Sequence, residues 1–218
     1  MKKAAVFIMS VVIVCVAGCQ QQGKDVAKIT GQPDVRFSVV AQFLQKDGGQ
    51  YLTRQQYEIY SDQRAMVLTS DEPYGKVVWS VQNGEYAMQK NQANRAFDKN
   101  LYNLMTNKNI AHGLLEIYLA GLGKIQPTAE KESLNFDGQT YELAAQAESD
   151  IKIYQNKSTG MLNLVKSGEN NSGIYILRGY NYLKFDGQDS FYASKVDIYL
   201  CHADDDKELV GQVNCSLK

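Results

Sequence analysis

Histidine, proline and tryptophan are scarce in this chain: two, three and one among 218 residues. Two imidazoles leave little room for histidine-based acid–base chemistry. His112 lies between Ala111 and Gly113 with no acid or nucleophile motif beside it, and His202 stands apart near the C-terminus. No G-x-S-x-G, H-E-x-x-H, P-loop or G-x-G-x-x-G occurs; "GLGKIQ" at 121–126 lacks the third glycine and follows a helical pattern instead of a strand. Charge of one sign is missing as well. Lys and Arg number 23 against 24 Asp and Glu, a formal net charge of -1, so there is no basic face of the kind nucleic acid requires. The acidic run "ADDDKE" at 203–208 lacks the alternating ligands and turn glycine of a calcium loop and reads as a solvated hairpin tip. These absences predict a chain that is not an enzyme and carries no cofactor, no metal and no nucleic acid.

Long apolar runs are also lacking. The one candidate, Ala4 to Val16, is broken by Ser10 and falls short of the ~20 residues that span a hydrocarbon core. Preceded by Lys2 and Lys3 and followed by small residues, it reads as a secretory signal, residues 1–18. Val16-Ala17-Gly18-Cys19 resembles the bacterial lipobox, with valine where leucine is preferred. That resemblance implies cleavage before Cys19, diacylglycerol on its sulfur and an acyl chain of the palmitate class on its new amino group. Two such signals give stable anchoring where one chain does not. Gln20 in the next position resembles the outer-membrane class of lipoproteins, which implies a lipid-anchored protein of the bacterial envelope facing the periplasm. The alternative is an ordinary signal with an incidental cysteine.

Of four cysteines, Cys15 leaves with the signal and Cys201 and Cys215 are the only pair beyond Cys19. An exported compartment permits their oxidation, so a disulfide closing the last hairpin is expected, worth about 3 kcal/mol. Two buried free thiols are the other possibility. Loss of Lys2 and Lys3 moves the formal charge from -1 to -3. Residues 19–34, "CQQQGKDVAKITGQPD", read as the lipidated cysteine and a polar tether. No Pro/Gly/Ser-rich break follows, and residues 35–218 read as one domain.

That domain alternates with period two over most of its length. In "VRFSVVAQFLQ", Val35, Phe37, Val39, Ala41 and Phe43 share a face. "QYLTRQQYEIYS" and "QRAMVLTS" follow across a turn at Asp62, and "GKVVWSVQNGEYAMQK" is a hairpin with Asn83-Gly84 at its tip. Between Asp98 and Leu122 the spacing of Leu101, Leu104, Met105, Ile110, Leu114, Leu115, Tyr118 and Leu122 turns helical. Two short helices are expected there, the second capped by Asn109 and ended by Gly121 and Gly123. Strands resume after Pro127, with "FDGQ" at 136–139 and 185–188 as turns. The fold class is mainly β: about ten antiparallel strands in a strongly curved sheet, an unclosed half-barrel, with a short helical pair as lid.

Arg64 to Leu68 (Arg-x-x-Val-Leu), "VVWSVQNGEYAM", two short helices, "IKIYQNKSTGMLNLV" and "YNYLKFDGQDSFYASKVDIYL" follow one another in an order that resembles the lipoprotein-localisation carrier superfamily, LolA and LolB with their relatives. The resemblance implies a half-barrel whose helices cover an apolar cavity that accepts lipid or lipoprotein acyl chains. The expected lining is Phe37, Val39, Phe43, Tyr57, Ile59, Met66, Leu68, Val77, Trp79, Val81 and Met88 from the strands, with Leu104, Met105, Leu114 and Tyr118 from the lid. Met66, Met88 and Met105 suit a pocket that adapts to varied chains, and they suit plain core filling equally. A scaffold or sensor on the same fold with a packed core is the competing expectation.

Overall fold

The computed structural model describes residues 29–44, 48–70, 77–82, 85–90, 104, 107–148, 150–168, 173–185, 189–202 and 206–218. The signal segment, Cys19, the Asn83-Gly84 tip, Met105 and most of the first expected helix lie outside these residues, as does the tip at 203–205.

Among the described residues twelve strands form one antiparallel sheet. They are β1 (Val35–Leu44), β2 (Gln50–Tyr60), β3 (Ala65–Ser70), β4 (Val77–Gln82), β5 (Glu85–Lys90), β6 (Ser133–Phe136), β7 (Gln139–Glu148), β8 (Ile151–Asn156), β9 (Leu162–Ser167), β10 (Ile174–Lys184), β11 (Phe191–Cys201) and β12 (Lys207–Leu217). The spatial order β5-β4-β3-β2-β1-β12-β11-β10-β9-β8-β7-β6 is two meanders that meet where β1 pairs with β12. β5 and β6 are the free edges, so the sheet is unclosed. The count is twelve where alternation predicted about ten; short β6 and the separate strands β8 and β9 account for the excess.

The chain crosses from one edge to the other through α1 (Lys108–Gly121). Its cap is Asn107, whose side chain accepts from the N–H groups of Asn109 and Ile110. The expected cap, Asn109, instead lies buried in the first turn and donates to the Gly173 carbonyl at 3.3 Å. Proximity to an apolar run does not reveal which of two nearby asparagines holds the extended conformation a cap requires. At the other end Gly123 takes φ +68° and Lys124 N–H reaches the Leu119 carbonyl, a left-handed termination. Asp137 (φ +49°) and Gly138 (φ +70°) make the first "FDGQ" the tight β6–β7 turn that Asp-Gly predicts.

Both faces of the sheet carry core. The main cluster joins the inward residues of β1–β4 and β8–β12 to α1. A smaller one, Phe136, Tyr141, Leu143, Tyr154, Leu164 and Ile176, uses the opposite parity of β8–β10 and the part of β7 before its bulge at Leu143/Ala145, and so lies on the back. There Asp137 pairs with Arg178 (3.1 Å) and with Lys207, drawing the β6–β7 turn over the back of the sheet.

Candidate functional site

The inner face of the β1–β5 half is built from residues placed opposite one another by register. One row runs Phe37–Tyr57–Leu68–Trp79–Met88 across five strands. The next runs Val35–Ile59–Met66–Val81–Tyr86, and a third Val39–Gln55–Ser70–Val77. Alternation puts each set on one side of the pleat, and hairpin pairing then aligns the sets into stripes. Phe37, Val39, Phe43, Tyr57, Ile59, Met66, Leu68, Val77, Trp79 and Val81 are all buried in the main cluster, as are Leu114 and Tyr118 of the helix, with Met88 and Leu104 half-buried at its margin. The structure therefore brings together every described member of the expected lining. Phe43 sits at the far end of β1, opposite Tyr51 and Gly211 and beyond the end of those rows.

Helix α1 lies in the hollow. Twelve of its fourteen residues, Asn109 to Ala120, are buried, so it has core on every side in place of one apolar stripe. Tyr118 stacks on Phe37 at 4.8 Å between ring centroids and meets Tyr57 edge-on at 6.3 Å. Gly113 is where the helix meets β10, since a Cβ there would stand 2.5 Å from Leu177 Cδ1; Gly121 sits against the backbone of Phe191, whose oxygen would be 2.1 Å from such a Cβ. Among the described residues no helix is long and apolar enough to cross a membrane.

A polar seam interrupts the apolar lining. Thr53 and Ser70 share a hydrogen bond of 2.8 Å, and the Tyr57 hydroxyl donates to Gln55 Oε1 at 2.8 Å. Gln55 Nε2 has no partner among the described residues. The Tyr118 hydroxyl donates to Cys215 Sγ at 3.5 Å. Burial holds the Tyr57 and Tyr118 hydroxyls in their neutral form, and burial pushes the Cys215 thiol up to about 11.

On the opposite side of the helix Arg64 Nη2 donates to both carboxylate oxygens of Glu116 (2.6 and 2.8 Å), and Nη1 donates to the Lys124 carbonyl. Burial raises the Glu116 pKa, Arg64 opposes that shift, and nearby Glu148 adds to it. His112 faces the same small cavity of about 20 Å³; burial pushes it down to about 4, and its Nε2 has no partner among the described residues. The ion pair escaped the sequence reading, although a lone carboxylate within the apolar "LLEIYLA" was a visible signal that a cation must approach the helix.

The expected disulfide is absent. Cys201 pairs across β11–β12 with Lys207, at the hairpin tip, while Cys215 pairs with Val39 far down β12. Eight residues of strand separate Lys207 from Cys215, about 26 Å at 3.3 Å per residue, against the 4.4–6.8 Å a disulfide spans. Cys201 packs beside the back cluster and Cys215 belongs to the main one. An even count of cysteines in one hairpin says nothing of register, and register forbids this bridge. His202 lies at the same tip, 3.7 Å from Glu208.

No family model matches the chain, and no curated protein sequence does. Among solved structures it is similar to a LolA superfamily protein from Nitrosomonas europaea, with TM-score 0.52, 12% identity and 86% of each chain covered. An outer membrane lipoprotein-sorting protein domain from Vibrio parahaemolyticus also matches, with TM-score 0.41, 11% identity and 86% of each chain covered. The fold is LolA/LolB-like: an unclosed antiparallel half-barrel around a helix.

Proposed function

We propose that this chain is a lipoprotein of the bacterial envelope, anchored through lipid on Cys19 to the outer membrane and facing the periplasm. Its apolar hollow binds lipid or the acyl chains of another lipoprotein, as carrier or acceptor without catalysis. The observation that carries this reading is the pair of apolar rows, Phe37–Tyr57–Leu68–Trp79–Met88 and Val35–Ile59–Met66–Val81, on an open-edged sheet whose cover is a helix. The helix shares no β-ladder with the sheet. Side-chain packing, the Arg64–Glu116 pair and bonds from Asn107 and Asn109 to Tyr175 and Gly173 hold it. An acyl chain replacing the contacts of Leu114 and Tyr118 would bury methylenes worth about 0.8 kcal/mol each, on the order of 12 kcal/mol gross for sixteen carbons. That gain offsets part of the cost of moving the helix, and opening would leave the sheet ladders intact.

A second reading, a scaffold or sensor with a packed interior, is favoured by the ring contacts of Phe37 with Tyr118 (4.8 Å) and Tyr192 (5.2 Å). Native mass spectrometry of residues 20–218 separates the two. Co-purifying or added lipid retained as a mass shift supports carriage, and a clean apo mass after incubation with lipid supports the scaffold. Radiolabelled palmitate incorporated by the full chain and lost in Cys19→Ser tests the anchor.

A further inference from the structure

The back of the β1–β2–β12 region, on the face opposite the hollow, holds an open groove of about 520 Å³. Two registered rows form it. Ser216–Ser38–Gln56–Thr69 makes a floor of short hydroxyl side chains with one amide, and Asn214–Val40–Arg54 runs alongside. Among the described residues no carboxylate lines it. This is unusual on a chain of net charge -1, and it is local: one row away Arg36 is bound to Glu58 at 3.0 Å, whereas the Arg54 guanidinium has no ion pair among the described residues. The second row continues to exposed Lys195, opposite Asn214, which is likewise unpaired there. Three strand spacings separate the two cations, about 14 Å.

Among the described residues donors therefore outnumber charged acceptors: a guanidinium fork at one end, amides and hydroxyls along the floor, and an ammonium one strand beyond Asn214 at the other. The complement is a ligand rich in acceptor oxygens and negatively charged. Leu52, 63% exposed, lies diagonally beside Val40, 44% exposed, next to Arg54, so an apolar lip adjoins the cationic end. An anionic head with an apolar continuation satisfies both features, and a volume of this size accommodates such a head. We propose that this groove binds the phosphodiester headgroup of an anionic phospholipid, with Arg54 as the bidentate anchor. The site is separate from the hollow and stands or falls independently of acyl-chain carriage. Its effect would be to lay the back of the sheet against the membrane surface.

The test uses the full chain in non-ionic detergent, titrated by calorimetry with glycerophosphoglycerol, a chain-free headgroup that has no methylenes to offer the hollow. Saturable binding is expected, weakened about tenfold or more by Arg54→Gln, with a smaller loss in Lys195→Gln. Arg54 is exposed, and among the described residues its side chain makes no hydrogen bond or ion pair, its backbone alone being held in the β1–β2 ladder and by Ser70 Oγ, so the variant keeps its structure, as its circular dichroism will show. Leu52→Ser should weaken dihexanoyl phosphatidylglycerol and leave glycerophosphoglycerol unchanged. Absence of binding, or equal affinity in wild type and Arg54→Gln, overturns the proposal. Inorganic phosphate bound as tightly as glycerophosphoglycerol overturns the lipid assignment, because a free anion would then suffice.

Discussion

Replacing Arg64 by Met should destabilise the fold far more than replacing its partner, Glu116, by Gln. Glu116 is 6% exposed and lies between Leu115 and Ile117 in a helix surrounded by core, while the Arg64 side chain is 30% exposed. Removing the arginine strands a carboxylate whose two oxygens had bonds of 2.6 and 2.8 Å, and leaves it facing Glu148. Breaking a buried pair from one side costs about 3–5 kcal/mol. The low end, about 3 kcal/mol, applies here because the adjoining cavity of about 20 Å³ is large enough for one water. Removing the carboxylate instead leaves a guanidinium that reaches solvent and keeps its bond to the Lys124 carbonyl, a loss of about 1 kcal/mol. Arg64 has φ +44°, and methionine meets the same backbone strain, so the comparison isolates the side chain. Urea unfolding followed by circular dichroism gives both costs at pH 8 and pH 5. A carboxyl with a raised folded-state pKa takes up its proton as pH falls, so the Arg64→Met deficit should shrink at pH 5. Equal costs for the two variants, or an Arg64→Met deficit independent of pH, would refute the reasoning.

Three further outcomes follow from the same core. His112 has its pKa lowered from 6.5 to about 4 by burial, so above pH 6.5 its contribution to stability is full. As pH falls through that window the unfolded chain binds a proton the folded one refuses, and about 3 kcal/mol is lost by pH 4; Glu116 and Glu148 act in the opposite sense, so the term is read as the difference between wild type and His112→Gln in urea midpoints. Residues 20–218, denatured without reductant, should give two thiols with Ellman's reagent, and in the native state Cys215 should react far more slowly than Cys201; a single covalent species with none would contradict the register. Gly121→Ala must push a Cβ into the Phe191 carbonyl, whereas Gly113→Ala meets only the flexible end of Leu177. Thermal melts should show the first variant losing several degrees more than the second.

Strand alternation and turn chemistry were legible because they are local. The period of two in β1 and β4, the Asp137-Gly138 turn and the switch to helical spacing before Leu122 each follow from the residues themselves. The membership of the apolar cluster was legible for the same reason: residues that alternate inward on consecutive hairpins end up as neighbours. Twelve strands emerged among the described residues where about ten were expected because β6 is only four residues long and β8 and β9 are separate short strands.

Sequence alone determined which side of each strand is apolar, where the chain turns, and that one helical stretch interrupts the strands, since these depend on neighbours within a few positions. Tertiary structure alone decided that β1 and β12 join the two meanders, that α1 lies inside the hollow with Arg64 against Glu116, and that Cys201 and Cys215 face different cores. Those outcomes depend on register and on contacts between residues far apart in the chain. Such pairings are selected by the free energy of the whole sheet closing around its helix, and no window of sequence carries that sum.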